Sequence, residues 1–258
     1  MIVLGYLLAV LMGTTLGLIG AGGSILTVPI LVYFFQISPV AATSYSLAIV
    51  GSAALVGALL YYKRGLVNIE AAITFAFPAT IAVICTRIFV VPNLPEKLFG
   101  ASKENLIMLV FATLMLVAAF FMMKRGEVQA KPNLGKAKFF RLAFKSAAIG
   151  FLTGIVGAGG GFVIIPALVI FFNLALKEAV GTSLLIISIN SLFGFKSDLL
   201  SGVEVDWKIL LPFLALTIFG MLFGTIISKK LDGQKLKKIF ALLMVAVAAA
   251  IFVQLILI

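Results

Sequence analysis

Two glycine-rich segments, one in each half of the chain, are the residues best suited to binding chemistry. Both carry the pattern G-x-x-G-x-G-G, occupy residues 17–24 and 154–161, and are followed by Pro29 and Pro166. A break in a helix leaves backbone N–H groups free, and the positive end of the helix dipole attracts an anion. Glycine also lets a ligand approach the backbone closely. We therefore expect an anion cradle formed by Gly20, Gly22, Gly23, Ser24, Gly157, Gly159 and Gly160.

The competing interpretation of these glycines is structural. Small residues let transmembrane helices pack tightly, and a single motif of this kind favours that role. The duplication favours a binding site, because paired breaks in corresponding positions of two halves are typical of transporter sites. A soluble phosphate-binding loop is disfavoured, since no strand precedes either segment and no Gly-Lys-[Ser/Thr] follows.

Hydroxyl and amide side chains form the second group of candidates. Thr43 and Ser44 in the first half correspond to Thr182 and Ser183 in the second once a two-residue gap is allowed, and Asn190 follows. Such groups suit a sulfonate, whose three oxygens accept hydrogen bonds. The alternative is hydrogen bonding between helices, which contributes about 0.6 kcal/mol per contact.

Arg87 and Lys196 are two basic residues set inside apolar segments. Ionisable groups within a span are candidates for function by default. Both lie near the predicted outer ends, so their long stems could instead reach the lipid headgroups. Lys196 also has Asp198 two positions further on as a possible partner, although such neighbours point to different faces of a helix. Both remain candidates for contact with a substrate on the external side.

The composition places these residues in a membrane. The chain of 258 residues is 63% hydrophobic and 11% charged, whereas soluble domains are roughly 25% charged. The net charge is +11, and the charged residues cluster in short loops between apolar spans. This placement favours a membrane protein over one that binds nucleic acid. With no histidine and one cysteine, the sequence offers no disulfide within the chain and no His/Cys metal site. We expect neither a metal nor another cofactor.

Ten apolar segments must position the candidates: 2–21, 24–36, 39–62, 69–91, 105–123, 139–158, 161–174, 178–200, 208–228 and 237–258. The first lacks the basic region of a signal peptide, so we expect a retained helix. Most segments reach the ~20 residues that a full span needs. The second member of each half is shorter and contains a proline, which indicates a half-helix, a re-entrant arm or a short packed helix.

The segments therefore predict an all-α polytopic membrane protein built from two five-segment repeats. The repeats occupy residues 1–123 and 139–258, and a polar linker at 124–138 joins them. If the segments alternate sides, one side receives fifteen of the twenty basic residues. On the other side, acidic residues including Asp198 nearly balance the remaining five.

The positive-inside rule makes the basic side cytoplasmic. Both termini then face the periplasm, the linker is cytoplasmic, and the two repeats enter the inner membrane from opposite sides. Inverted repeats of this kind place a shared site near the midplane and permit alternating access. The two glycine breaks are expected to converge there.

These residues resemble the TauE/SafE family of sulfite and organosulfonate exporters over essentially the whole chain. The resemblance rests on the duplicated glycine motif with its proline, on Ala179–Leu184, and on the stretches that begin at Gly65 and Gly202. Members of that family often carry a histidine near the end of the third helix of a repeat. This chain has none there, so the resemblance does not extend to histidine-dependent proton coupling.

The resemblance implies a secondary transporter that exports sulfite, sulfoacetate or a related organosulfonate across the inner membrane. An anion leaving a cell that is negative inside gains about 2.3 kcal/mol per charge per 100 mV. The spans show no deep acidic residue to carry a proton, which agrees with electrogenic export without a coupling ion.

Three alternatives stay open: proton- or sodium-coupled uptake of a similar anion, a membrane scaffold that transports nothing, and an intramembrane enzyme. The enzyme is disfavoured because no span carries an acidic dyad or a nucleophile with a visible base. The expected partners are a small anionic substrate and the lipid bilayer, with no nucleic acid. Small-residue helix faces are compatible with a homodimer.

Overall fold

The computed structural model describes residues 2–20, 22–93, 95, 97–98, 101–124, 136–156, 161–229 and 233–257. These residues form ten α-helices: α1 (Ile2–Ile19), α2 (Gly22–Phe35), α3 (Pro39–Tyr62), α4 (Ile69–Cys85), α5 (Lys103–Lys124), α6 (Lys136–Val156), α7 (Gly161–Phe171), α8 (Leu176–Leu200), α9 (Trp207–Ser228) and α10 (Gly233–Leu257). A π-helical turn, Thr86–Val90, continues α4. A two-residue antiparallel pair, β1 (Lys97–Leu98) and β2 (Ala101–Ser102), precedes α5. The predicted all-α class is confirmed.

Four helices in the described ranges are long and apolar enough to cross a membrane: α3, α4 with its π-helical turn, α8 and α9. Large apolar side chains on the outside agree with a lipid environment. Phe77 is 71% exposed, Phe144 76% and Leu242 72%, and a solvated surface would not carry such side chains in number. The prediction of a membrane protein is confirmed.

The short helix α2 folds back along α1. Gly20 has φ +78°, a left-handed conformation that reverses the chain between the two helices. A Cβ atom at Gly5, near the start of α1, would lie within 3.2 Å of Phe34 and Phe35 at the end of α2. The two helices therefore run antiparallel, and α2 returns to the end of the bundle at which α1 begins.

Both short helices end in the same backbone conformation. The residue that follows α2, Gln36, has φ 55°, and Asn173 after α7 has φ 54°. In each case the next residue donates a backbone hydrogen bond to the carbonyl six positions back, from Ile37 to Leu31 and from Leu174 to Leu168. The two halves thus share local geometry where their sequences differ.

The centre of the bundle is the contact between α3 and α8, which are the most buried of the four long helices. Gly51 of α3 faces Leu192 of α8, whereas Gly57, six residues later, faces Leu184. The facing residue number falls as the α3 number rises, so the two helices run antiparallel. They are the third helices of the two halves.

The outer helices pair across the halves. On α1, a Cβ at Gly13 would lie 2.0 Å from the Thr217 carbonyl oxygen of α9, and Gly224 of α9 approaches Thr14 equally closely. On α6, a Cβ at Gly150 would lie 2.3 Å from the Ala79 carbonyl oxygen of α4. Both pairs run parallel, and only glycine permits backbones to approach this closely. The first helix of each half therefore packs against the fourth helix of the other.

These directions give the bundle two distinct ends. We call one the basic end: α1, α3 and α9 finish there, α4 and α8 begin there, and it carries Lys63, Arg64, Lys177 and Lys229. The opposite end, which we call the ion-pair end, holds the start of α3, the π-helical turn after α4 and the last turns of α8. It is named for the ion pair between Arg87 and Asp198.

Candidate functional site

Arg87 is the largest fully buried side chain in the described residues, with 1% of its surface exposed. It lies in the π-helical turn that continues α4, an element that is rare and often occurs at functional sites. Its Nη1 atom donates to Asp198 Oδ2 of α8 at 3.1 Å, which makes a buried ion pair. A buried cation requires such a partner because desolvating an isolated charge costs far more than burial of an apolar group returns.

Two hydroxyls of α3 complete this ion-pair layer. Ser44 donates to Asp198 Oδ2 at 2.5 Å. Thr43 accepts a bond from Arg87 Nη1 at 3.0 Å and donates its own hydrogen to the Val40 carbonyl. Three helices from both halves therefore meet at Arg87, and three of the sequence candidates, Thr43, Ser44 and Arg87, lie in one cluster.

The other edge of the Arg87 guanidinium is free. Its Nε and Nη2 atoms are buried and have no hydrogen-bond partner in the described part of the chain. This edge presents two parallel N–H groups, the fork that binds two oxygens of a carboxylate, phosphate or sulfonate. An unsatisfied buried donor costs about 1–3 kcal/mol, so the edge has a strong tendency to take a ligand with oxygen acceptors.

A second polar contact lies deeper in the bundle, and we call it the amide layer. Thr80 of α4 donates to Asn190 Oδ1 of α8 at 2.6 Å. Asn190 Nδ2 is buried and has no partner among the described residues, and neither have the hydroxyls of Ser46 and Ser191. Seven residues separate Thr80 from Arg87, which is about 10 Å along a helix and two full turns, so both lie on the face towards α8. Unpartnered donors therefore occur in both layers, on α8 and on its neighbours α3 and the π-helical turn after α4.

Asp198 corrects two expectations. The loop charges assigned it to the outer side as a balancing charge, and Lys196 was its possible partner. The structure buries Asp198 within α8 at 4% exposure and pairs it with Arg87. Lys196 is exposed instead, because residues two positions apart on a helix face different directions. Lys196 thus lies outside both polar layers.

Thr182 and Ser183 are buried at the basic end, away from both layers. Thr182 accepts a bond from the backbone N–H of Asn68 at 2.9 Å, and Ser183 donates to the Val180 carbonyl. The Asn68 side chain also caps α4 and donates to Glu178 at 3.1 Å. Thr182 therefore joins the α3–α4 loop to the start of α8, whereas the Ser183 bond stays within α8.

The first glycine segment also lies at the basic end. A Cβ at Gly20 would lie 2.7 Å from the Val180 side chain, and one at Gly17 2.3 Å from the Met221 carbonyl oxygen. Gly154, which opens the second segment, instead packs against Thr86 at the ion-pair end. The described flanks of the two glycine segments therefore lie at opposite ends of the bundle, and the expectation that the breaks converge is wrong for these flanks. The reason is that the segments follow α1 and α6, and these two helices run in opposite directions.

The remaining glycine candidates are only partly described. Gly22 and Gly23 open α2, and the side chain of Ser24 in its first turn is not described. Gly157, Gly159 and Gly160 lie outside the described residues. Their proposed role in an anion cradle stays a prediction.

Two members of the site, Thr80 and Asp198, were missed by the sequence reasoning. The signal that identifies them is a spacing of seven: Thr80 precedes Arg87 by seven residues, and Ser191 precedes Asp198 by seven. Residues seven apart share a helix face, so each helix carries a polar stripe through an apolar segment. Within the described ranges, no three His, Cys, Asp or Glu residues cluster as metal ligands.

The chain matches known proteins over most of its length. A family profile described as "Sulfite exporter TauE/SafE" covers residues 5–251. A "Probable membrane transporter protein" of Xylella fastidiosa (strain 9a5c) is 30% identical over 249 residues, which cover 92% of this chain and 90% of that protein. The "Probable membrane transporter protein YunE" of Bacillus subtilis (strain 168) is 25% identical over 96% of each chain. No solved structure matches the chain.

The profile covers both halves, both polar layers and both ends of the bundle, and the relatives align over nearly their whole length. The chain therefore belongs to the TauE/SafE family of membrane transporters.

Proposed function

We propose that this transporter exports a small sulfur-containing anion, such as sulfite, sulfoacetate or a related organosulfonate, by alternating access. The observation that carries the proposal is the free Nε/Nη2 edge of Arg87, which is buried and has no partner in the described chain. A guanidinium is always charged and binds two oxygens of one anion at once. In a low-dielectric surrounding that contact is far stronger than in water.

The unpartnered donors of the amide layer extend the same argument. Asn190 Nδ2 and the hydroxyl of Ser191 are buried on α8, and Ser46 is buried on α3. An anion with three oxygens has enough acceptors to satisfy several of these groups in turn as it moves along the α8 face. The substrate-binding residues in this proposal are Thr43, Ser44, Arg87 and Asn190, with Ser46 and Ser191 added. The Thr80 hydroxyl is not among them, because it already donates to Asn190 Oδ1.

The packing of the halves supports alternating access. The third helices cross antiparallel at the centre, and each first helix packs on the fourth helix of the other half, as expected for inverted repeats. Arg87 and Asp198 come from different halves and close the ion-pair end. An anion that competes with Asp198 for the guanidinium would weaken this closure. Substrate binding is thereby coupled to opening.

The direction follows from the loop charges. With the basic end in the cytoplasm by the positive-inside rule, the ion-pair end faces the periplasm and both termini are periplasmic. An anion leaving the cell then moves down the membrane potential, at about 2.3 kcal/mol per charge per 100 mV. Export needs no coupling ion under these conditions.

Proton-coupled uptake of a similar anion is the second candidate, and one observation favours it. Asp198 is an acidic residue buried within a span, which the sequence reasoning had assumed to be missing. Protonation of Asp198 would release Ser44 and one N–H of Arg87. Asp198 therefore gives this candidate a proton carrier.

Flux measurements in proteoliposomes separate the two candidates. Purified protein is reconstituted, loaded with sulfite or sulfoacetate, and exposed to a potassium-diffusion potential and a pH gradient, each applied alone. Anion export predicts flux that follows the voltage without a pH gradient. Flux that requires the pH gradient and ignores the voltage would contradict export and favour Asp198-dependent coupling. No flux of any sulfur anion under either gradient would contradict both and favour a scaffold.

The substrate class has its own test. Thermal unfolding of the purified protein is measured with sulfite, sulfoacetate, taurine and thiosulfate, and with phosphate and acetate as controls. A ligand that binds only the native state raises the unfolding temperature in proportion to its occupancy. Stabilisation by phosphate or acetate but by none of the sulfur compounds would contradict the proposed substrate class.

A further inference from the structure

A cavity of about 220 Å³ opens at the basic end, between the end of α3, the start of α8 and the end of α9. Its lining includes Tyr61, Arg64, Lys177, Val180, Ser228 and Lys229. Both polar layers lie elsewhere, along the face between α4 and α8. The cavity is therefore a separate feature of the molecule.

The floor of the cavity is polar and buried. Tyr61 is 3% exposed and Ser228 6%, and the Tyr61 hydroxyl donates to Ser228 Oγ at 3.0 Å. The same hydroxyl lies 3.2 Å from the carbonyl oxygen of Gly17 in the first glycine segment. Val180 in the wall contacts Gly20. The bottom of the cavity therefore lies against the end of α1, at the turn that leads to α2.

The rim of the cavity is positively charged. Lys177 and Lys229 are exposed, and Arg64 is half-buried between the Thr225 carbonyl, to which it donates at 3.0 Å, and the Tyr61 ring. Two acidic residues described at this end, Glu70 and Glu178, do not line the cavity, and Glu178 accepts a bond from the Asn68 side chain. Within the described chain, none of the three cations forms a salt bridge.

We infer that this cavity is a second anion-binding site, which takes a small oxyanion at the basic end before it enters the bundle. Three cations around a concave site raise the local concentration of anions and the rate at which anions bind there. The size suits a sulfonate, sulfite or phosphate group. The donors for it are the cations of the rim, because the Tyr61 and Ser228 hydroxyls already donate within the chain. The inference rests on the proposed function for its role in transport, but the binding itself does not.

The same chemistry is found in two sources, a free oxyanion from solution and the phosphate of an anionic lipid. The test uses both as probes: sodium sulfite, with sodium chloride at equal ionic strength as reference, and a short-chain phosphatidylglycerol. Thermal unfolding is measured in the Arg87→Gln/Asp198→Asn background, which removes the ion-pair layer. Any remaining stabilisation then reports a site other than Arg87.

The decisive variant adds Lys177→Gln and Lys229→Gln. The matched control adds Lys196→Gln and Lys208→Gln, which removes two exposed charges outside the cavity. We expect the stabilisation to disappear in the first and persist in the second. The probe that stabilises identifies the source. No stabilisation by either probe, or stabilisation that survives Lys177→Gln/Lys229→Gln, would overturn the site.

Transport kinetics test the cavity independently, in a protein that keeps Arg87 and Asp198 and carries Lys177→Gln and Lys229→Gln. Loss of the rim charges should raise KM for sulfite presented at the basic end about tenfold, because the local anion concentration falls. The maximal rate should stay unchanged, since the cavity is not the central site. An unchanged KM would contradict its role in entry. If the protein transports no sulfur anion, the unfolding measurements still decide whether the cavity binds one.

Discussion

Arg87 and Asp198 meet across the two halves of the chain with a distance of 3.1 Å between Nη1 and Oδ2, and this contact uses only one side of the guanidinium. The pair therefore joins the two halves and leaves part of the guanidinium unused. Nη1 contacts Asp198, while Nε and Nη2 have no partner among the described residues. Competition between the carboxylate and a ligand for one cation is a simple physical route from binding to opening.

The contribution of the ion pair to stability can be separated from its contribution to transport. Arg87→Gln leaves Asp198 buried without a countercharge, so we expect a loss of about 3–5 kcal/mol in the free energy of unfolding. Arg87→Gln/Asp198→Asn removes both charges and should recover most of that stability, while anion flux stays lost. Thermal unfolding in detergent and flux in proteoliposomes measure the two effects. Flux at the wild-type level in the double variant would show that Arg87 holds no substrate.

Asn190 can be tested with a nearly isosteric change. Asn190→Asp keeps an acceptor for the Thr80 hydroxyl but replaces the free Nδ2 donor with a second acceptor, which repels an anion. We expect the ligand-induced rise in unfolding temperature to vanish while circular dichroism still reports a folded helical protein. The matched control is Thr80→Val, which removes only the bond between helices. It should cost about 0.6 kcal/mol in stability and preserve binding. Equal loss of binding in both variants would contradict the assignment of Nδ2 as a ligand donor.

The orientation of the bundle in the membrane can be measured at two positions, one after the third helix of each half. Gly65 and Gly202 are both exposed, have φ +67° and +83°, and have no atom within 4 Å of an added Cβ. In a Cys85→Ser background, Gly202→Cys should react with a membrane-impermeant maleimide on intact cells. Gly65→Cys should react only after the membrane is permeabilised. The reverse pattern would invert the topology and, with it, the proposed direction of transport.

The contact between α1 and α9 predicts a strong response to a single methyl group. A Cβ at Gly224 would lie 2.1 Å from the Thr14 carbonyl oxygen, so Gly224→Ala must push two backbones apart, at a cost of about 1–3 kcal/mol. Gly202→Ala, at a left-handed position with open space, is the control and should cost about 1–2 kcal/mol or less from backbone strain alone. Thermal unfolding measures both. A wild-type unfolding temperature for Gly224→Ala would contradict the close packing.

The sequence predicts the helices well for a physical reason. A backbone in lipid must satisfy its own hydrogen bonds, so apolar runs of sufficient length have few alternatives to helix. The segment 208–228 appears as Trp207–Ser228, and 39–62 as Pro39–Tyr62. The largest difference at the start of a helix is at α10, which begins at Gly233 rather than at 237. The charged residues there do not interrupt a helix that extends out of the apolar region.

The candidate site was predictable only in part. Arg87, Thr43, Ser44 and Asn190 stand out as polar residues within apolar runs, and the structure brings the first three together. Their partner Asp198 does not stand out in the sequence. It lies two residues before the end of α8, and counting of loop charges cannot distinguish a helix end from a loop. Which helices pair is a property of tertiary packing. A periodic pattern within one helix does not contain that information.

The pairing of α1 with α9 also has a consequence for the synthesis of the protein. Thr217 leaves the ribosome about 200 residues after Gly13, a long delay for a contact between non-local segments. Until then the glycine face of α1 lacks α9 and has lipid, α2 and the end of α3 beside it. A chain that stops before α9 therefore leaves α1 without the helix that fits it. Membrane assembly of this protein is completed late, and truncated products should be recognised by quality-control proteases through that exposed face.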